Sequence, residues 1–356
     1  MEKIEPIPGR NAVLKENYLD VAKAIALFLV VLGHLVVFRG TVYTWIFSFH
    51  MMLFFFISGY QFNAKKYADY GFAKYFDKKV KSLIIPFAIA TVIGLAISLI
   101  IPDWRRTIKD VTYSLLYLAQ PGSLHVGQIW FLVGLFWTEI FFFYLYKKIF
   151  SKVSVAAVIF ITILISVIGF HMNTVTFLHY SRLPWKLDST VTSLVFYTAG
   201  FYMKEAGIIN KLFKHKIISA VLMISSGIFG FYVAKYKNGY VNICDVQYSN
   251  YFYFYIAAFC GIAFILLLSK FLSEIKILQY YGGNTLWMFA LHSLFLSLFI
   301  YLLTVITQKQ YVRSYNIPFT YCFIIAILVY LVLGLIPPVI KFCKAKFVRK
   351  SPSLQN

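Results

Sequence analysis

The residues best suited to chemistry stand in two apolar stretches near the start of the chain. The first, YLDVAKAIALFLVVLGH over 18–34, carries Asp20, Lys23 and His34; the second, FHMMLFFFISGY over 49–60, carries His50, Ser58 and Gly59. Imidazole changes its charge near neutrality, so it can take a proton from a hydroxyl or accept an acyl group itself. A carboxylate, an ammonium and two imidazoles are costly in hydrocarbon, and their presence there asks for a chemical reason. Eleven residues of α-helix make about three turns and rise about 16 Å, so Lys23 and His34 share one face. Asp20 joins that face at i,i+3. The blander alternative has Lys23 snorkelling to an interface beside Asp20, with His34 a satisfied structural histidine.

Read as the next helix in the opposite direction, the second stretch brings His50 to a depth similar to His34, facing one cavity. Ser58 is a nucleophile only with a base beside it, and Gly59 permits close helix approach; both also suit a ligand contact. A basic run, Lys78, Lys79 and Lys81, precedes the third apolar segment. Such a run reports topology, but it also suits a phosphorylated donor. His292 and Glu139 are further polar groups inside apolar segments, each with a structural reading beside a role in the site. Trp130, Trp185 and Tyr240 can stack on a sugar or simply mark an interface.

The elements that position these groups follow from composition. Of 356 residues, 60% are hydrophobic and 13% charged, too apolar for a soluble domain and expected of an all-α polytopic membrane protein. Ten spans are expected, near 19–38, 45–62, 83–101, 129–146, 153–170, 190–203, 217–234, 251–270, 285–304 and 319–340, each offering roughly 20 apolar residues except the short sixth. The loops alternate in charge: 23 of the 34 lysines and arginines fall in one set, 10 in the other, and Lys23 lies within the first span. That asymmetry predicts cytoplasmic termini and a net charge of +21 that serves orientation, not nucleic acid. The chain divides into a cytoplasmic tail (1–18), a membrane domain (19–340) and a basic cytoplasmic tail (341–356). No cleavable leader, inverted repeat or low-complexity tract is expected. Four scattered cysteines give neither a zinc site nor a disulfide framework. The outer loops 102–128, 171–189 and 235–250 are long, and IKDVTYSLLYL within the first is expected to lie flat on the interface.

With KKVKSLIIPF over 78–87, the two opening stretches resemble the acyltransferase 3 family of integral membrane acyltransferases, in particular its fucose 4-O-acetylase-like branch. IWFLVGLF (129–136), FYTAGFYMKE (196–205) and GNTLWMFALHSLF (283–295) add weaker support. The family commonly has Arg where this chain has Lys23, Lys78 and Lys81, replacing bidentate phosphate contacts by point charges, and often Met-Pro where Met51 and Met52 stand. An attached SGNH-type hydrolase domain, which some members use for the final transfer, is not expected here.

The resemblance implies an O-acyltransferase of the plasma membrane. It would move an acyl group, acetyl in most members, from cytoplasmic acetyl-CoA or another acyl-CoA to a hydroxyl of a cell-surface or lipid-linked carbohydrate, without a metal. On that reading Lys23, Lys78 and Lys81 face the coenzyme A phosphates, with Ser58 and Gly59 along the donor path. His34 is general base or acyl carrier; His50 orients it, binds acceptor or faces the oxyanion; Asp20 positions Lys23; and Trp130, Glu139 and His292 meet substrate. Membrane lipid and glycan-assembly proteins are the further partners implied. The rival reading is a transporter or flippase of a glycan intermediate; its usual sequence sign, inverted repeats with Gly/Pro-broken helices at paired positions, is not found.

Overall fold

The structure, a computed structural model, describes residues 16–35, 40–101, 107–120, 124–175, 177, 182–308 and 317–342. The polypeptide tails 1–15 and 343–356 lie outside the described residues. Among the described residues eight helices are long and apolar enough to cross a membrane: α2 (Gly40–Tyr60), α3 (Phe72–Ile100), α4 (Gly127–Phe150), α5 (Val155–Thr174), α7 (Lys216–Asn238), α8 (Tyr251–Phe271), α10 (Thr285–Thr307) and α11 (Phe319–Phe342). Two more run beside them, α1 (Asn17–Gly33) and α6 (Leu187–Glu205), and α9 (Lys276–Gly283) is a short helix before α10. The sixth apolar run is thus longer than its hydrophobic core, because LDSTVTS at its start is polar yet helical and buried.

α1 is the hub. It packs against α2, α8, α9, α10 and α11, and Val21, Ala22, Ala24, Ala26 and Leu27 have no exposed surface. Small residues let neighbours approach: a Cβ on Gly282 would stand 1.6 Å from the Asp20 carbonyl oxygen. α2 and α6 cross still more closely, glycine to backbone on both sides. A Cβ on Gly59 would lie 1.9 Å from the Tyr197 carbonyl oxygen, and one on Gly200 would lie 2.1 Å from that of Phe56. Without bulk water to squeeze the helices together, such close van der Waals contact is what associates them. By contrast α5 and α7 expose Ile159, Phe160, Ile163, Ile217, Val221 and Ile228, an apolar surface suited to lipid.

α3 is interrupted by a π turn over Val80–Ile84. Pro86 lacks the N–H that would return to the Ser82 carbonyl, and the helix widens just before it. On the side opposite the lysine-rich loops, three segments meet. Tyr117 donates to the Arg182 carbonyl (2.8 Å), Trp185 Nε1 to the Leu116 carbonyl (2.8 Å) and Lys186 Nζ to Gln120 Oε1 (2.7 Å). The third segment is a two-stranded ribbon, β1 (Val241–Asn242) antiparallel to β2 (Gln247–Tyr248), with Val241 opposite Tyr248. The expected interfacial stretch is helical over Ile108–Thr112 and Tyr113–Tyr117, tied to this cap by Tyr117.

Candidate functional site

Three imidazoles converge where α1 ends, α2 passes and α10 runs by. His34 directly follows the last residue of α1, and its ring stacks on that of His292 with centroids 5.5 Å apart and planes at 26°. Phe47 on α2 sets its edge against the His34 ring at 6.0 Å and also packs on His50 at 4.8 Å. One aromatic side chain therefore spaces two histidines that sequence separation places sixteen residues apart. His50 is buried, and its Nδ1–H donates to the Ile46 carbonyl at 2.8 Å. His292, fully buried, makes the same kind of bond to the Phe289 carbonyl at 2.5 Å. A carbonyl only accepts, so each of these Nδ1 atoms carries the proton, and the neutral ring keeps its lone pair on Nε2.

His34 and His50 line one cavity of about 300 Å³, floored by Val30, Met51 and Phe289 and walled by Tyr43, Trp130 and Tyr240. Its polar rim comes from Gln120, Asn242 and Asp245 of the opposite-side segments and from Gln128 in the first turn of α4. Tyr43 and Tyr240 stack on each other at its edge, centroids 5.9 Å apart and planes at 20°. Of the sequence-derived candidates, His34, His50, Trp130 and Tyr240 line this cavity, while His292 stands behind His34 as a brace.

The remaining candidates lie elsewhere. Lys23 pairs with Asp20 at 2.8 Å, at the other end of α1. Lys78 donates to the Tyr67 hydroxyl at 3.1 Å and stands 4.7 Å above that ring. Lys81 meets Asp77 at 2.8 Å on the exposed surface. Glu139 is taken by Lys79 at 2.5 Å, which also stands 5.3 Å from the Tyr75 ring; the structure joins α3 to α4 here and does not bring Glu139 to the cavity. Gly59 is used by the α2–α6 crossing, against the backbone of Tyr197. Ser58 is half-buried and absent from the cavity wall.

Sequence reasoning passed over the network that holds the cap in place. Arg182 Nε donates to Asp188 Oδ2 (2.5 Å), Nη1 to Asp245 Oδ1 (3.0 Å) and Nη2 to the Cys244 carbonyl (2.6 Å). Burial opposes the guanidinium charge, but the bond and charge of Asp188, with Asp245 beside it, outweigh that and raise the Arg182 pKa. Lys186 is almost wholly buried; besides Gln120 it approaches the Cys244 carbonyl and Sγ, both at 3.3 Å, and stands 5.8 Å from the Trp130 ring. Burial pushes the Cys244 thiol up to about 12, against the lowering effect of Lys186. Ala119, His125, Trp185, Lys186 and Val246 all have φ between 49° and 59–60°. A left-handed backbone without glycine costs of order 1–3 kcal/mol each, and such strain collects at functional sites. The signal available in sequence was two charged residues, Arg182 and Lys186, in a loop otherwise expected to be poor in cations.

Among the described residues no group of three or more His, Cys, Asp or Glu side chains is arranged to hold a metal ion. No match to the chain is found among curated proteins. The family model described as an acyltransferase domain matches residues 16–339, from just before α1 to near the end of α11. Helices α1 to α10, the two polar ends of α1 and the histidine cavity all fall inside that match, and the chain belongs to the acyltransferase 3 family of membrane acyltransferases.

Proposed function

We propose that this membrane acyltransferase moves an acyl group, acetyl by preference, from a cytoplasmic acyl-CoA to a hydroxyl of a cell-surface or lipid-linked carbohydrate, as in the fucose 4-O-acetylase-like branch. The observation that carries the reading is the convergence of His34 and His50 on one aromatic-walled, amide-rimmed cavity, with His292 stacked behind. Aromatic faces and amides suit a hydroxyl-bearing ring, and imidazoles suit its deprotonation.

In this reading the acceptor enters from the capped side, taken as the cell exterior. His34 takes the proton of the reacting hydroxyl as that oxygen attacks the thioester carbonyl. The resulting tetrahedral centre expels the coenzyme A sulfur, which recovers a proton from the imidazolium. His50 points a second basic nitrogen into the same space: with Nδ1–H held by Ile46, its Nε2 accepts from a hydroxyl, which favours binding or base roles over oxyanion stabilisation while the ring is neutral. The donor comes from the lysine-rich side, where Lys23 and Lys78 lie, and its pantetheine arm passes along the α1 face toward Met51 and Phe289. The span of α1 between Lys23 and His34, about 16 Å, is of the order of that arm's length. Both termini are then cytoplasmic, the ten helices all cross, and the membrane is the plasma membrane.

The direct test supplies purified protein in detergent with labelled acetyl-CoA and cell-surface glycan. Covalent label on the glycan supports the proposal. Absence of acyl transfer, with glycan transport in vesicles unaffected by His34→Ala, would favour the transporter reading and overturn it.

A further inference from the structure

A second cavity, of about 1000 Å³, lies between α5, α6 and α8 and shares no lining residue with the histidine cavity. Ile159 and Ile163 of α5 line one side, Phe252 and Ile256 of α8 the other, and Val195 and Ala199 of the more deeply buried α6 lie behind them. Ile159 is 55% exposed, Ile163 52% and Phe252 70%, so the cavity is a trough open sideways to the membrane. Protein interiors hold few voids larger than a water molecule. An apolar trough of this size facing lipid fills with hydrocarbon, because its walls otherwise lose their van der Waals partners.

The trough is closed toward the cap. There Ser166 Oγ and the Tyr251 hydroxyl share a hydrogen bond at 2.5 Å, Tyr255 donates to the Ser166 carbonyl at 3.4 Å, and the rings of Phe170 and Tyr251 meet edge to face at 5.4 Å. Just beyond, a Cβ on Gly169 would stand 2.7 Å from Thr192 Oγ1, so α5 and α6 close on each other. From Ser166 back to Val155 the helix runs about 16 Å, half of a hydrocarbon core of about 30 Å. That is the depth of one leaflet. A partner's spanning helix requires the full thickness, and a long polyprenyl chain outruns half of it; the acyl chain of a phospholipid fits.

The open end lies on the lysine-rich side. Tyr146 and Tyr202, a residue type that favours the level of lipid headgroups, line it together with Ser151 and Glu205. Lys148 and Lys152 stand exposed at the adjoining end of α4 and in the turn after it. A mouth with both signs of charge complements a headgroup that has both a phosphate and an ammonium, the lysines facing the phosphate and Glu205 the ammonium. A headgroup that is only anionic sets a like charge beside Glu205.

We infer that the trough is a one-leaflet site for an aminophospholipid, with an acyl chain between α5 and α8 and the headgroup between Lys152 and Glu205. The lysine-rich halves of α5 and α8 are then joined by lipid, as their cap-side parts are joined by Ser166 and the two tyrosines. This holds whether or not the chain transfers acyl groups.

The test is photocrosslinking of the full chain in bilayer discs that contain a phosphatidylethanolamine with a diazirine on its acyl chain, followed by peptide mapping. Label on residues 155–166 and 252–259 is expected to exceed several-fold that on Ile217, Val221 and Ile228 of α7, whose exposed face reports ordinary boundary lipid. Unlabelled phosphatidylethanolamine is expected to displace the trough label about three- to fivefold more effectively than phosphatidylglycerol with the same chains, the scale of one exposed ion pair. Glu205→Gln is expected to erase that difference. Ala199→Phe, which fills the back of the trough, is expected to lower trough label and leave α7 label unchanged. Equal labelling of the trough and of α7, stronger displacement by phosphatidylglycerol or by a polyprenyl phosphate, a preference unmoved by Glu205→Gln, or a dimer crosslinked through Ile159 overturns the inference.

Discussion

The two ends of α1 carry polar groups that would have looked alike on a list of intramembrane oddities, yet the protein treats them differently. At the lysine-rich end, charge is neutralised or sheltered by partners within the chain: Lys23 by Asp20, Lys79 by Glu139, Lys81 by Asp77, and Lys78 by the ring and hydroxyl of Tyr67. At the other end His34 and His50 border open space, with each Nδ1 of His50 and His292 fixed to a backbone carbonyl. Of these pairs Lys79–Glu139 joins two helices, whereas Lys23–Asp20 and Lys81–Asp77 each lie within one. A basic nitrogen oriented toward a cavity is positioned for proton transfer. The difference separates groups that build the bundle from groups that can act on a ligand.

Glu139 should show the largest effect on the building side. Glu139→Ala leaves the half-buried Lys79 without its carboxylate, and since breaking a fully buried pair costs about 3–5 kcal/mol, a loss of about 2–3 kcal/mol is expected here. Chemical denaturation in detergent should show that loss, and the paired change Lys79→Met with Glu139→Leu should recover most of it. Recovery would confirm that Glu139 serves the α3–α4 contact, whereas intact stability in Glu139→Ala accompanied by lost activity would return it to the site.

The lysine-rich end is also where the donor is proposed to enter, and this sharpens the contrast. Exchanging Lys78 for Gln should raise the KM for acyl-CoA roughly three- to tenfold, the scale of one charged hydrogen bond, and leave the acceptor KM within twofold. Equal changes in both would remove the phosphate site. At the cap, the Cys244 thiol, pushed by burial up to about 12, stays protonated through neutral and mildly alkaline pH. Maleimide labelling of the folded protein at Cys244 should therefore be negligible from about pH 7 to 9, and rapid labelling would show that the cap opens. The smallest effect is expected at Lys81. Its pair with Asp77 is exposed, so Lys81→Ala should change stability by no more than about 0.5 kcal/mol.

Most of the bundle was legible in the sequence because lipid imposes one simple demand, long apolar helices with all backbone groups bonded internally. The histidines were legible for the same reason: an imidazole among Leu, Val and Phe is conspicuous. What was hidden depended on tertiary choices. Nothing in the local pattern says that Glu139 meets Lys79 from another helix, or that Gly59 is used by the backbone of Tyr197. Equally hidden was the meeting of residues 107–120, 182–189 and 240–248, since loops of polar and aromatic residues show no periodicity. The polar start of α6, LDSTVTS, also disguised a buried helix, because its hydroxyls return to carbonyls of their own chain: Thr190 Oγ1 donates to the Lys186 carbonyl at 2.7 Å and Ser193 Oγ to that of Ser189 at 2.9 Å. His292 was visible as a residue, but its stacking on His34 was not.

In the proposed reaction His34 acts in the cavity while the donor is held elsewhere, and one measurement separates those roles. In purified protein, acyl transfer from labelled acetyl-CoA and the dissociation constant of acetyl-CoA would be measured side by side for the unaltered chain and for His34→Ala. Removal of a general base is expected to slow transfer by about 10²- to 10⁴-fold, with the donor dissociation constant within about threefold. Transfer that persists in His34→Ala, or donor binding that disappears with it, would contradict the assignment.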